Sequence, residues 1–302
     1  MKLPAKVTIK EVGPRDGLQN EKMIVATEDK IAWIHSLSET GLSYIEATSF
    51  VPPKWIPQLA DAGAVLEKIK RRPDITYAAL VPNLKGLERA LQSGIDEVSI
   101  FMSASETHNR KNINKSIAET YPVLETVVKE AKAAGKTVRG YVSTVIACPY
   151  EGPVAPEQVK VVAERLFTLG IDELSLGDTI GSGVPTQIER LLEKILPHMD
   201  AGKIAMHFHD TRGTALANTV KALEMGITVF DSSLGGLGGC PYAKGASGNV
   251  ATEDLLYMLA GMGIETGVDL PAALKSAELI ERIIGRPLKS RQMEILRAEK
   301  EG

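Results

Sequence analysis

The sequence has few cysteines, no surplus of positive charge and no long apolar run. Only two of its 302 residues are cysteine, which is too few for a disulfide framework, so a reducing compartment is expected. The formal net charge is -3, which leaves no basic surplus to neutralise phosphates and argues against a nucleic-acid partner. No apolar run approaches the roughly 20 residues needed to span a bilayer, so no membrane association is expected.

Targeting signals are also lacking. The first residues show neither the apolar segment of a signal peptide nor an Arg- and Ser-rich transit segment. The last residues carry no peroxisomal tripeptide. Together with the low cysteine count, these features predict a cytoplasmic protein.

The sequence does contain a repeated junction, in which a helical stretch ends in Gly and an aliphatic, β-rich run follows. Examples begin at Gly41, Gly94, Gly170 and Gly226. The Gly fits the left-handed position just past a helix C-terminus, and the run after it fits a short buried strand. Such a repeat is typical of a parallel α/β fold.

Eight strands are predicted, with helical patterns between them, at residues 7–12, 44–48, 76–81, 97–102, 137–144, 173–176, 205–208 and 228–232. Eight β/α units in a chain of this length predict the α/β class and a single closed (β/α)8 TIM barrel. An open doubly wound sheet is the alternative, but its phosphate-binding Gly loop is absent after the first strand. No linker divides the chain, so residues 1–302 are predicted to form one catalytic domain. Within it, residues from about 270 to 302 add a C-terminal helix and tail.

Polar residues cluster at the predicted C-terminal ends of the strands, where such barrels carry their chemistry. His207 and His209 are two residues apart on the seventh strand, so both side chains face one side and could bind a metal ion. Two separate hydrogen-bonded histidines are the alternative. Asp16 or Asp178 could supply an oxygen ligand, and mixed nitrogen and oxygen ligation favours Mg²⁺ or Mn²⁺ over structural Zn²⁺.

Three further side chains near these ends each have a catalytic and a structural interpretation. Arg15 could stabilise an enolate or bind a carboxylate, or it could form a surface salt bridge. Glu46 lies in an otherwise apolar strand and serves either acid–base chemistry or a structural ion pair, because a buried acid must be paired or have a shifted pKa. Cys240 lies in a glycine-dense loop that could move over a ligand, so its thiol is either a proton donor or an exposed bystander.

Taken together, these segments resemble the 3-hydroxy-3-methylglutaryl-coenzyme A (HMG-CoA) lyase family. The resemblance covers nearly the whole chain and rests on residues 13–20 (GPRDGLQN), 46–51 (EATSFV), 175–181 (SLGDTIG), 207–211 (HFHDT) and 235–243 (GGLGGCPYA). It implies a metal-dependent retro-Claisen cleavage of HMG-CoA to acetyl-CoA and acetoacetate. A Claisen-type synthase or an aldolase on the same barrel is the nearest alternative, and Leu18, where the synthases generally carry Glu, and the Cys240 loop weigh against it.

The resemblance also implies a set of site residues. The metal ligands would be Asp16, His207, His209 and Asn249, the last of which residue spacing does not single out. The catalytic residues would be Arg15, Glu46, Asp178 and Cys240, and the substrate-binding residues Arg15, Gln19 and Ser49. An acyl-CoA thioester substrate, Mg²⁺ or Mn²⁺, and a homodimer or higher homo-oligomer are expected. Because the first predicted strand begins close to Met1, a bacterial, cytoplasmic form is expected.

Overall fold

A closed barrel of eight parallel strands forms the centre of the molecule in the computed structural model, which describes residues 3–239 and 248–301. The strands are β1 Thr8–Glu11, β2 Tyr44–Ser49, β3 Thr76–Leu80, β4 Glu97–Ser103, β5 Thr137–Ser143, β6 Glu173–Asp178, β7 Ile204–Phe208 and β8 Val229–Ser232. Their order around the barrel follows the chain, and β1 closes it by pairing with both β2 and β8. The predicted (β/α)8 barrel is confirmed.

Helices lie between the strands and pack around the barrel. They are α1 Thr27–Ser38, α2 Ala62–Lys68, α3 Leu84–Gln92, α4 Glu106–Ile113, α5 Ile117–Ala133, α6 Pro156–Leu169, α7 Pro185–Ile195, α8 Ala215–Glu224, α9 Thr252–Gly261, α10 Leu270–Ile284 and α11 Arg291–Glu301. The last two form the predicted C-terminal helical segment, and α10 packs on α1 and α9. Among the described residues, no helix is long and apolar enough to cross a membrane.

The pattern of α6 shows why the sequence folds in this way. Pro156 occupies its first turn, where no backbone N–H donor is required. Its buried residues, Val159, Val162, Ala163 and Leu166, recur every three or four positions and face the barrel. Burial of each large aliphatic side chain among them contributes about 1.5–3 kcal/mol. The helix ends at Gly170, whose φ of 101° places it in the left-handed region.

Candidate active site

A cavity of about 640 Å³ lies at the C-terminal ends of the strands. Its polar wall includes Arg15, Asp16, Gln19, His207 and His209. Val51, Leu80 and Phe101 form an apolar wall of the same cavity. The structure therefore brings the sequence-predicted polar residues at the C-terminal ends of β1 and β7 into a single cavity.

Asp16 is presented to this cavity by a single helical turn, Gly13–Gly17, directly after β1. The N–H of Asp16 donates to the carbonyl of Val12 at 2.7 Å, which fixes the turn against the strand end. The carboxylate accepts hydrogen bonds from Arg15, from Gln19 Nε2 at 3.1 Å and from Asn249 Nδ2 at 2.8 Å. Asp16 is thus buried and oriented by three neighbouring side chains.

The two histidines extend from β7 beside Asp16. His207 lies between Gly177 of β6 and Asp231 of β8 in the strand register. The centroids of the His207 and His209 rings are 5.2 Å apart. Each of Asp16, His207 and His209 offers a ligand atom, and these three atoms lie within 4.8 Å of one another. Such spacing suits three ligands of one cation.

Asn249 reaches the same point because the chain returns from the glycine loop alongside β7. Its backbone forms an antiparallel bridge with His209. The N–H of Asp210 donates to Gly248 at 2.8 Å, and the N–H of Val250 donates to Phe208 at 2.9 Å. The Asn249 side chain then donates from Nδ2 to Asp16 Oδ2 and to the carbonyl of Leu237 at 3.0 Å.

Two glycines allow this close approach. Gly238 has a φ of +111°, and a Cβ there would lie 2.6 Å from Asn249 Nδ2. Gly248 has a φ of +98°, and a Cβ there would lie 2.4 Å from the carbonyl oxygen of Gly238. Any larger residue would combine an unfavourable backbone conformation with a steric clash at either position.

Two buried atoms without hydrogen-bond partners, and the protonation states of His209 and Asp16, both fit a divalent cation at this site. His209 Nδ1 and Asn249 Oδ1 are buried, and neither has a hydrogen-bond partner within the described part of the chain. Burial lowers the pKa of His209 to about 4, with a smaller contribution from His207. Burial acts to raise the pKa of Asp16, but Arg15 and the two histidines outweigh it and hold that pKa below its usual value. A carboxylate and a neutral imidazole, the forms that bind metals, therefore predominate at neutral pH.

Arg15 lies beside this group of candidate ligands and is itself buried. Its Nε donates to Glu46 Oε2 at 2.6 Å, and its Nη1 donates to Asp16. Burial acts to lower the pKa of Arg15, but the charges of Glu46 and Asp16 outweigh it and raise that pKa. Its guanidinium carbon also lies 5.3 Å from the centroid of the Tyr141 ring. The side chain is thus a permanent cation held in one orientation at the cavity wall.

Asp178 and Ser49, like Glu46 and Asn249, are sequence-predicted residues that lie outside the lining of this cavity. Asp178 pairs with Phe208 in the strand register and accepts the N–H groups of Gly183 at 2.8 Å and Ser182 at 3.2 Å. Burial raises the pKa of Asp178, and these two hydrogen bonds only partly oppose the rise. Ser49 is fully buried, and its hydroxyl accepts the N–H of Val51 at 3.2 Å. Both side chains hold the loops that follow β6 and β2.

Cys240 lies outside the described residues. The residue before it, Gly239, lines the cavity, and its carbonyl oxygen accepts a hydrogen bond from Asn20 Nδ2 at 2.8 Å. The glycine loop therefore reaches the cavity at the position immediately before the thiol in sequence.

Sequence reasoning missed three polar residues of the barrel interior. Tyr141 lines the cavity and donates its hydroxyl to Glu46 Oε2 at 3.2 Å. Arg139 and Asp231 lie deeper and are buried. A signal was present, because Arg139, Tyr141 and Ser143 alternate along β5, and a period of two places them on one face.

The chain matches the HMGL-like family over residues 6–280. The chain belongs to the HMGL-like family. It is 61% identical to the hydroxymethylglutaryl-CoA lyase YngG of Bacillus subtilis, over 99% of this chain and 100% of that protein. The crystal structure of the Bacillus subtilis HMG-CoA lyase is similar as well, with a TM-score of 0.97 and 61% identity over 98% of this chain and 100% of that one.

A third relative is an HMG-CoA lyase from Acinetobacter baumannii, whose structure holds coenzyme A and 3-methylmalate. It is 39% identical, with a TM-score of 0.93, over 97% of this chain and 96% of that one. These relatives are carbon–carbon lyases, and the family cleaves HMG-CoA to acetyl-CoA and acetoacetate with a divalent metal. The resemblance seen in the sequence is confirmed.

Proposed function

We propose that this protein cleaves HMG-CoA to acetyl-CoA and acetoacetate at the cavity described above. The observation that carries the proposal is the arrangement of Asp16, His207 and His209 within 4.8 Å of one another, beside the buried Arg15. A chelating hydroxy acid needs a cation, and the enolate of acetyl-CoA needs a fixed positive charge. The cavity wall carries groups for both.

Mg²⁺ or Mn²⁺ is the proposed cofactor, held by Asp16, His207, His209 and Asn249. Two imidazoles, a carboxylate and an amide oxygen form a mixed nitrogen and oxygen donor set of the kind that these hard cations accept. Asn249 Oδ1 and His209 Nδ1 support this assignment, because both are buried atoms without a hydrogen-bond partner among the described residues. When bound, the cation would lower the pKa of the tertiary hydroxyl of the substrate.

The protein's own residues divide the remaining steps between them. The sequence leaves Asp16 or His207 as the base, but a neutral imidazole that binds a metal has no second lone pair. Asp16 therefore removes the proton of the tertiary hydroxyl, the adjacent carbon–carbon bond breaks, and its electron pair passes to the thioester as an enolate. Arg15, oriented by Glu46, faces that enolate and stabilises its charge. Cys240 then donates a proton to the enolate carbon and completes acetyl-CoA.

The other predicted residues take positioning roles in this proposal. Gln19 lines the cavity and steadies Asp16 through a 3.1 Å hydrogen bond, which leaves it able to contact substrate. Asp178 and Ser49 act through the loops that their side chains hold. The acyl-CoA thioester would lie against the apolar wall formed by Val51 and its neighbours, and the coenzyme A bound by the Acinetobacter baumannii relative supports this class of substrate.

We further propose that residues 1–302 form one catalytic domain and that the protein is cytoplasmic. We also propose that its chains assemble as a homodimer or a higher homo-oligomer. Tyr257 of α9 and Ile295 of α11 are exposed apolar side chains on helices that contact each other. Exposed apolar side chains of this kind are suited to pack against a second copy. The molar mass in solution, measured by light scattering, tests this, and a monomer at all concentrations would contradict it.

The test of function is an acetoacetate assay with purified protein, HMG-CoA and Mg²⁺. Acetoacetate and acetyl-CoA are expected in equal amounts, a chelator should abolish turnover, and added Mg²⁺ or Mn²⁺ should restore it. His209→Ala should lose activity, whereas His198→Ala, at a half-exposed position on the outside of the barrel, should retain it. Absence of acetoacetate would overturn the proposed reaction, and full turnover by metal-free protein would overturn the cofactor.

A further inference from the structure

A buried carboxylate, Asp231, lies directly behind His207. It belongs to β8, the neighbour of β7 in the barrel, and is paired with His207 in the strand register. Its Oδ2 lies 3.2 Å from His207 Nδ1. The other ring nitrogen, Nε2, lies on the opposite side of the ring, 4.0 Å from Asp16 Oδ2. The imidazole is therefore held between a carboxylate behind it and the cavity in front.

Hydrogen bonds to both oxygens of the Asp231 carboxylate fix its orientation. Arg139 donates to both oxygens, at 2.7 Å to Oδ1 and 3.2 Å to Oδ2. Ser175 Oγ donates to Oδ2 at 2.8 Å. Arg139, Asp231 and Ser175 are all fully or almost fully buried. A carboxylate paired with a buried guanidinium in this way is ionised and can only accept hydrogen bonds.

This acceptor decides which nitrogen of His207 carries the hydrogen. Because an ionised carboxylate has no hydrogen to give, the hydrogen between His207 and Asp231 belongs to Nδ1 of the imidazole. In a neutral ring the lone pair is then on Nε2, which faces Asp16 and the cavity. The opposite tautomer would put an N–H group where a cation has to bind.

Arg139 also connects this pair to the other side of the site. Its Nη1 donates to the Tyr141 hydroxyl at 2.6 Å, and that hydroxyl donates to Glu46 Oε2 at 3.2 Å. Glu46 in turn accepts from Arg15 Nε. Arg139 thus holds Asp231 directly and Glu46 through the Tyr141 hydroxyl. Asp231 contacts His207, and Glu46 contacts Arg15.

We propose that Asp231, held by Arg139, is a positioning residue that fixes His207 as the Nδ1–H tautomer and so directs Nε2 to the metal. This inference rests on the metal site of the proposed function. Carboxylates or carbonyls that orient a metal-bound histidine contribute about 10- to 100-fold to metal affinity. If Asp231 and Arg139 formed only a structural ion pair, replacing either residue would change the stability of the protein. The tautomer of His207 and the affinity for metal would then stay unaltered.

Asp231→Asn is the direct test. Arg139 has only N–H donors, so it should keep its hydrogen bond to the amide oxygen of the new side chain. The NH2 group of that amide should then face His207. The imidazole then accepts at Nδ1 and carries its hydrogen on Nε2, as occurs when an amide replaces the carboxylate behind a catalytic histidine. Mn²⁺ binding, measured by calorimetry without substrate, should weaken about 10- to 100-fold. Nitrogen-15 NMR of the metal-free protein should show the hydrogen move from Nδ1 to Nε2.

Two further variants complete the design. Glu173→Gln disturbs the same buried network, because Glu173 pairs with Arg139 and Lys10, but it does not touch His207. This control should keep the wild-type tautomer and Mn²⁺ affinity. Asp231→Ala combined with Arg139→Met removes the acceptor and leaves no unpaired charge, so it answers the question even where Asp231→Asn does not fold. It too should bind Mn²⁺ at least about tenfold more weakly.

The outcomes separate this inference from the proposed function. Wild-type protein that binds no Mn²⁺ would overturn the metal site, while the NMR signals of His207 would still report the tautomer. Wild-type protein that binds Mn²⁺, together with Asp231 variants that bind it equally well, would overturn the positioning role. An unchanged His207 tautomer in Asp231→Asn would overturn it as well.

Discussion

Glu253 allows a quantitative test of how the glycine loop is held. Its buried side chain accepts the N–H of Gly235, which lies 3.0 Å from each carboxylate oxygen, and the hydroxyl of Ser290. Burial raises the pKa of Glu253 from 4.5 to about 7, and the hydrogen bonds from Ser290 and Gly235 only partly oppose this rise. The folded protein therefore retains a proton that the unfolded chain releases at lower pH.

The retained proton fixes the sign and size of a pH effect on stability. Between pH 4.5 and about 7 the folded state binds more protons than the unfolded state, so the free energy of unfolding falls as the pH rises. At about 1.36 kcal/mol per pKa unit, the whole difference corresponds to about 3.4 kcal/mol. About 2.5 kcal/mol of this is lost between pH 5 and pH 8. Glu253→Gln keeps the shape of the side chain but cannot titrate, so its stability should not include this loss.

Urea unfolding of the wild type and Glu253→Gln at pH 5 and pH 8, followed by circular dichroism, measures the effect. The free energy of unfolding of the wild type relative to the variant should fall by about 2.5 kcal/mol between the two pH values. Glu28→Gln, at an exposed position in the first turn of α1, is the matched control and should show no such change. An equal difference at both pH values would refute the protonated, buried Glu253.

Three further predictions concern the site itself. Arg15→Met should lower kcat about 100- to 1,000-fold with little change in KM, and an unchanged kcat in steady-state assays would remove Arg15 from enolate stabilisation. Gly238→Ala would place a Cβ 2.6 Å from Asn249 Nδ2 and should weaken Mn²⁺ binding in calorimetry, whereas Gly261→Ala, where a Cβ meets nothing within 4 Å, should not. Equal affinities would contradict the role of Asn249. Cys240→Ser should reduce turnover without altering Mn²⁺ affinity, and wild-type turnover would make the thiol a bystander.

The barrel could be predicted from the sequence because several of its junctions are specified locally. A Gly that ends a helix and the buried strand after it are properties of a few consecutive residues, as at Gly170, where the φ is 101° and β6 follows. These junctions, together with eight predicted strands separated by helical patterns, indicate a closed (β/α)8 barrel. The His207 and His209 pair could be found for the same reason, since a period of two along one strand determines which side chains share a face.

Contacts between distant segments could not be predicted in this way. Asn249 lies beside Asp16 only because the chain pairs with β7 after the glycine loop, and neither residue carries a local sign of the other. Asp178 and Ser49 follow the rule that strand ends carry the chemistry, yet their side chains accept backbone N–H groups from the next loops. The rule predicts at which end of a strand the functional residues lie. It does not predict whether a side chain there faces the cavity or the adjoining loop.

The C-terminal segment shows the same limit on a larger scale. In the sequence it is an appended helix, but Leu288 packs so closely on Gly235 that a Cβ at that glycine would lie 2.5 Å from the leucine side chain. Ser290 donates to Glu253, which holds the N–H of the same glycine. Because the glycine loop starts at Gly235, contacts from the end of the chain fix the point from which that loop reaches the cavity. The C-terminal segment is therefore part of the frame that positions Asn249, and its removal would alter the site without touching any residue that lines it.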